Sequence, residues 1–444
     1  MYPNPQEALP LPPQPHVEQY KKLAKELVKA CRSGDPGAIP AWSVRWVTSL
    51  AARLAKSDAP RYDREIAEAA GRVERFARHT LTSEQDPAAR CSLTSAQFVI
   101  ARAHGFVSWP KFVKHVESVA LTGSSVSSFE AAAHAIVSGD LETVKRLLRQ
   151  HPDLIRTRST REHRATLLHY VAANGVEGYR QVSPKNIADI TEVLVAAGAD
   201  VDADPDVYGG GCTTLGLVAT SSPPRDAGVQ LEVIDVLLRA GARMDLPGSV
   251  GNNGALIRGC LANGQPEAAS YLVSRGAPLD LVGAAGVGRI DVVQDFFGDD
   301  AGGSRTSVTT AAVAEAFAFA CIYGQAGVVE FLLRRGFEVD TELRNHGEGH
   351  TGLHVAAFHG HLEVVKLLLS HSARVEVTDK TWGTAPLMWA LTGWSRESPP
   401  DADRYYEVVT LLVAAGANVT PDLLEWERTR ADPGMRTALT RERI

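Results

Sequence analysis

The groups in this chain that move protons near neutral pH are its histidines, and several of them gather in one stretch: His346, His350, His354, His359, His361 and His371, with His169 in a related string. Imidazole changes charge between pH 5 and 8 and serves as base, acid or metal ligand. A metal centre needs ligands at a recognisable spacing; no such spacing recurs, so no metal is expected. General acid–base catalysis needs its groups within hydrogen-bond reach of one reacting atom. The candidates by residue type are His359, Asp226 and Glu407, with Tyr323 and Arg225 to orient an anionic group. No glycine loop of the phosphate-cradling kind and no Gly-x-Ser-x-Gly elbow is present, and no cofactor is expected.

Two stretches carry the chemistry of recognition instead. VYGGGCTTLGLVATSSPPRDAGVQL, beginning at Val207, sets three glycines behind Tyr208 and places Arg225 in a Pro-rich segment. A glycine run costs backbone entropy; it either lets N–H groups approach a ligand or forms a plain loop tip. Trp382, Trp389 and Trp394 precede Arg396, Arg404, Tyr405 and Tyr406. Trp, Tyr and Arg dominate binding hot spots; alternatively, these rings pack an inserted loop onto its neighbours.

The elements that position these residues repeat themselves. TGLHVAAFHGHLEVVKLLL, residues 351–369, is the clearest copy of a unit seen in fragments from about residue 129 to 419. Each unit has a short Ala-rich apolar stretch ending at a glycine, then an acidic residue and a Val/Leu run, often closed by Gly-Ala. Further copies start near Phe129, Thr166, Thr214, Leu256, Ala285, Phe317 and Pro386. A unit of this kind cannot bury its apolar face alone, so neighbours must stack. These strings resemble the ankyrin repeat, two antiparallel helices behind a turn with a T-P-L-H-x-A signature and a period of about 33 residues. The resemblance implies an all-α fold: an α-solenoid with short β-hairpins or turns over 129–420, in about eight units, one of them shortened near 281–300. It also assigns His354 and His169 to tying hairpin to helix. His359 falls at a variable position facing the concave surface, as do Asn174, Thr220, Asn263, Tyr323 and Thr392.

Long spacings between closing glycines come from extra residues at 176–187, 221–230 and 394–405. Insertions in a solenoid map to loops on one face, often the binding face, although surface loops also tolerate added length cheaply. Asp280 runs almost directly into the short unit, predicting a break in the stack, a cleft between the fourth and sixth units, and an irregular linker at 298–310.

Ahead of the repeats, residues 1–15 are Pro-rich and read as disordered. Residues 16–122 read as a separate helical domain, with apolar periodicity in 17–31 and Trp42, Trp46, Leu50 and Leu54 every four residues. Ser92 to Val119, through Leu93, Ala96, Gln97, Gly105, Phe106, Ser108, Trp109, Pro110 and Lys111, resembles a module found ahead of ankyrin repeats in bacterial proteins. Phe106 and Trp109 look like core anchors, and the domain would serve as a polar-faced cap or as a partner-binding domain. At the other end, 421–444 reads as a cap and tail: a helix over 421–430 packing Leu424 and Trp426 near Val409 and Leu412, ended by Asp432-Pro433-Gly434.

Bulk properties narrow the function. The 444 residues carry 46 Lys plus Arg against 52 Asp plus Glu, a formal charge of −6, with no basic tract. Nucleic acid is therefore not an expected partner. No stretch reads as a membrane span or a signal segment, and the expected location is the cytoplasm, of a bacterium if the resemblance holds. Of the five cysteines, Cys260 and Cys321 take Ala positions of the repeat and should be buried thiols. By family habit, the expected function is recognition of a protein or peptide on the concave face. The candidate contacts are Asn174, Tyr208, Arg225, Asn263, Tyr323, His359, Trp389, Trp394 and Arg396. The alternative is an enzyme or a small-molecule-binding protein with a site between the central repeats and the insertions.

Overall fold

The computed structural model describes residues 4–12, 14–54, 59–82, 90–246, 250, 255–298, 308–343, 349–396 and 402–440. Most of the 298–310 linker, part of the 394–405 insertion, and His346 lie outside them. The chain divides into two compact units, residues 1–256 and 257–444. Among the described residues the regular structure is helical apart from one isolated antiparallel bridge, Leu343 with His350.

The first unit opens with five helices, Val17–Arg32, Ala38–Leu54, Ala59–Thr82, Leu93–Ala103 and Trp109–Ala120. Their shared core holds Leu27, Trp42, Val73, Phe106 and Phe112, all essentially inaccessible. Local sequence sets the boundaries. Ser92 caps one helix by accepting from the Ser95 amide at 3.1 Å, and Pro110 sits in the first turn of the next, where its missing N–H costs nothing. Cys31 and Cys91 are joined by a disulfide with Cα atoms 5.6 Å apart, while Cys212, Cys260 and Cys321 are buried free thiols.

Three helix pairs follow: Ser125–Ser138 with Leu141–Gln150, the 3₁₀ turn Leu167–Ala172 with Ile187–Ala196, and Thr214–Ala219 with Gln230–Arg239. Residues 4–12 correct the expectation of a disordered leader. Ala8 and Leu9 are buried, Leu9 N–H donates to the Ala103 carbonyl at 2.7 Å, and the His104 ring meets the Leu9 carbonyl at 3.0 Å.

The second unit stacks five pairs. Their inner helices are Leu256–Ala262, Leu281–Gly286, Thr310–Ile322, Gly352–Phe358 and Pro386–Arg396; the outer ones are Pro266–Ser274, Ile290–Phe297, Ala326–Arg334, Leu362–Ser370 and Arg404–Ala414. Their seams form one apolar core through Phe317, Leu332, Leu353, Val365, Leu387 and Leu412. The shortened pair has no hairpin. Asp280 itself caps Leu281–Gly286 by accepting from the Gly283 amide at 2.6 Å. Small residues set the spacing: a Cβ on Gly393 would lie 1.9 Å from the Phe358 carbonyl oxygen, so only glycine lets those two inner helices approach.

The signature histidines act as rivets. The Thr351 amide donates to His354 Nδ1 at 3.0 Å, so Nε2 carries the proton and donates to the Thr384 carbonyl of the next unit at 3.2 Å. His169 does the same between the Thr166 amide, 3.0 Å, and the Ala203 carbonyl, 2.9 Å. Burial pushes His169 down to about 4, which keeps the ring neutral in that role.

The C-terminal cap differs from expectation. Pro421–Glu425 and Glu427–Ala431 are single turns, and Trp426 remains 38 % exposed at the edge of Trp394. Asp432-Pro433-Gly434 starts a helix, Pro433–Thr440, instead of ending one. Asp432 accepts from the Met435 amide at 2.8 Å and also holds the Tyr406 hydroxyl at 2.8 Å. Met435, Ala438 and Leu439 then bury themselves on the terminal repeat. An Asp followed by Pro is a helix-start signal, and here it outweighs the turn reading of Asp-Pro-Gly.

Candidate functional site

The second unit carries a groove of about 1100 Å³ along its inner helices. Leu261, Gly286, Val287, Phe319 and Ile322 form an apolar floor, and Thr310, Ala311, Ala314 and Glu315 make one wall. That wall exists because Thr310–Ile322 has 13 residues where Leu281–Gly286 has 6 and Gly352–Phe358 has 7. Its first turns leave Ala311 exposed and Ala312, Val313 and Ala314 half-buried. The floor is thinned at the shortened pair. A Cβ on Gly286 would lie 2.5 Å from Leu261, and the Tyr323 hydroxyl passes over to donate to the Leu261 carbonyl. Burial pushes the Tyr323 phenol up to about 12, so it stays a neutral donor.

Polar groups line the far end. The half-buried His359 ring stacks on His361, centroids 5.8 Å apart. His361 Nε2 meets the Ile322 carbonyl at 2.7 Å, and burial together with Arg404 lowers its pKa. Gln325 donates to the Gly286 carbonyl at 3.2 Å. Arg258 and Glu315 pair at 2.5 Å beside the wall. The site thus combines an apolar bed with polar side chains and the charged Glu315, Glu342 and Arg404 among its lining.

Of the residues nominated from sequence, Tyr323 and His359 line this groove. Asn263 is exposed, its amide spent on the Gly259 carbonyl at 2.9 Å. Trp389 and Trp394 are corrected from surface candidates to core, at 7 % and 2 % exposure. The Trp389 indole donates to Asp379 at 3.2 Å and Thr384 at 3.1 Å, while Arg396 lies over the Phe358 ring. Glu407 lines a different hollow with Lys366, Tyr406 and Thr437. Asp226, in the first unit, pairs with its neighbour Arg225 at 2.8 Å, both exposed. Asn174 and Tyr208, also in the first unit, bond each other at 2.8 Å.

A cluster that the sequence did not announce lies buried in the first unit. Arg161 pairs with Glu177, both nearly inaccessible, and reaches Glu130 at 3.5 Å and the His104 carbonyl at 3.0 Å. Arg180 bonds Glu130 at 2.6 Å and approaches Glu177 at 3.5 Å. His163 stands 3.4 Å from Glu177. Burial alone would raise the Glu130 carboxyl, but Arg180 and Arg161 outweigh it and hold it at about 2; Glu177 is likewise held well below the carboxylate range, chiefly by Arg161. The 176–187 insertion supplies Glu177 and Arg180, so this insertion is turned inward. Two guanidiniums facing two carboxylates are self-compensating, which suits docking of the helical domain onto the first repeats. Arg and Glu in loops read as solvated surface, and no spacing rule marks them as partners.

Residues 317–422 match the family described as Ankyrin repeats (3 copies), so an ankyrin-repeat domain is present. Solved structures similar to this chain include the ankyrin repeat domain of human ASB11, at 20 % identity over 61 % of this chain and 98 % of that one, with a TM-score of 0.31. Another is the ankyrin repeat domain of Bcl-3, a member of the IkappaB protein family, at 19 % identity over 62 % and 96 %, with a TM-score of 0.29. No curated protein matches the chain. Among the described residues, no helix is long and apolar enough to cross a membrane, and no group of three or more His, Cys, Asp or Glu could hold a metal ion.

Proposed function

We propose that this chain is a recognition protein that seats a segment of a partner protein in the inner-helix groove between Leu261 and Arg404. The observation that carries the reading is the groove itself: about 1100 Å³, floored by apolar side chains and edged by the polar side chains of Tyr323, His359 and Gln325. Concave sites with an apolar bed and a few placed polar groups are the usual form of binding sites, and an apolar helix face in such a groove is a common peptide mode. Acid–base chemistry has less support, because of His359, Glu407 and Asp226 only His359 lines the groove.

Site-specific photo-crosslinking tests it. A photoreactive residue replaces Ser270 or Ala311 at the groove, or Arg334 on an outer helix as control, in the organism the gene comes from. The reading expects one polypeptide captured from both groove positions and not from position 334. Capture independent of position, or none from the groove, overturns it.

A further inference from the structure

Residues 4–12 lie within the first unit against Ala103, His104, Gly178 and Tyr208. Asn174 holds the same place in its repeat as Tyr323 and His359 hold in theirs, and Tyr208 stands on the turn before the next inner helix. Here both are engaged by hydrogen bonds, although Tyr208 keeps 37 % exposure. The Tyr208 hydroxyl lies 2.9 Å from the Gln6 side chain and 2.8 Å from Asn174. The Gln6 carbonyl presses on Gly178, where a Cβ would sit 2.3 Å from its oxygen. Three residues on, Leu9 is buried and takes backbone bonds from both sides, its N–H to Ala103 at 2.7 Å and its carbonyl from His104 at 3.0 Å. Residues 5–7 form a 3₁₀ turn; beyond it the segment is held by the main-chain groups and the buried side chain of Leu9, as short peptides are held in trans.

We infer that residues 4–12 are an internal ligand, and that the surface beneath them is a second interaction site, for a partner segment with a glutamine and an apolar residue three positions later. The fit of the internal segment is incomplete: a hollow of about 180 Å³ remains beside Ala8, walled by Arg102, His163 and Val207. A segment bound imperfectly in cis is open to exchange with a competitor, and its tether sets the effective concentration the competitor must beat.

The test is a titration with a labelled peptide, NPQEALPLP, the sequence of residues 4–12. The chain lacking residues 1–12 should bind it saturably, the full chain at least tenfold more weakly, and the shortened chain carrying Gly178→Val not at all. A folded shortened chain that ignores the peptide, or a Gly178→Val version that binds it equally, overturns the inference. Should the shortened chain not fold, hydrogen exchange on the full chain decides. Gly178→Val should free the Leu9 amide while helix Ile187–Ala196 stays protected; an unchanged Leu9 amide overturns the inference. Neither result depends on the groove of the second unit.

Discussion

Replacing Glu177 by alanine tests whether the buried ion cluster holds the first unit together. In the native chain Glu177 is fully buried, with Arg161 against one oxygen and Arg180 and His163 at 3.5 and 3.4 Å. Without it, two buried guanidiniums share Glu130 alone. Breaking a buried pair from one side costs about 3–5 kcal/mol, because a charge is left uncompensated, whereas an exposed pair is worth about 0–1 kcal/mol. For a unit of this size, 1 kcal/mol moves the melting midpoint by about 2–4 °C, so the expected loss is roughly 6–20 °C. The pH dependence supplies a second reading. Glu130 and Glu177 have lowered folded pKa values, so their stabilisation is fully present above the unfolded value of about 4.3. It is lost as pH falls toward the Glu130 value of about 2. Stability of the wild type should fall steeply below pH 4.5, and that of Glu177→Gln less steeply. Calorimetric melts of both variants from pH 2 to 7 measure this. A Glu177→Ala shift under 2 °C with an unchanged pH slope would refute the reasoning. Burial also holds His104 at about 3 and His115 at about 4. These rings resist protonation that the unfolded chain accepts, so a separate decline should begin near pH 6.5 and continue toward pH 3.

Thiol titration in denaturant without reductant should find Cys212, Cys260 and Cys321 only, and reduction of Cys31–Cys91 should cost roughly 2–4 kcal/mol in a melt. Met435→Ala should destabilise the last repeat by about 2–5 kcal/mol, seen as faster hydrogen exchange in 404–414, since Met435 is wholly buried there. Gly393→Ala should cost roughly 1–3 kcal/mol by overpacking against the Phe358 carbonyl, read by urea denaturation.

Much of the architecture was legible because the ankyrin-type unit writes its packing into residue type. His354 and His169 announced their rivet role, and Asp280 running into Leu281 announced the missing hairpin. The legible part of the groove was its inner-helix positions, Tyr323 and His359. Its wall was not, since the length of Thr310–Ile322 follows from a run, TAAVAEAF, that reads equally as ordinary core. For Trp389 the sequence left binding surface and packing both open, because its partner Asp379 sits in a turn ten residues earlier, and nothing local says that a turn carboxylate will meet an indole. The order of residues 4–12 was hidden for a similar reason: composition reports how a Pro-rich segment behaves alone, whereas Gly178 and Ala103, far along the chain, decide that it binds.

The central claim is that the inner-helix groove seats a partner segment. Calorimetric titration of the polypeptide captured at positions 270 and 311, against the wild type and Ala314→Arg, tests it most directly. Ala314 is half-buried on the groove wall, so an arginine there fills the groove while the melt stays within about 1 °C, as expected for a partly exposed position away from the core. The account expects saturable binding to the wild type and at least a tenfold loss in the variant. Equal affinity for both proteins would contradict it.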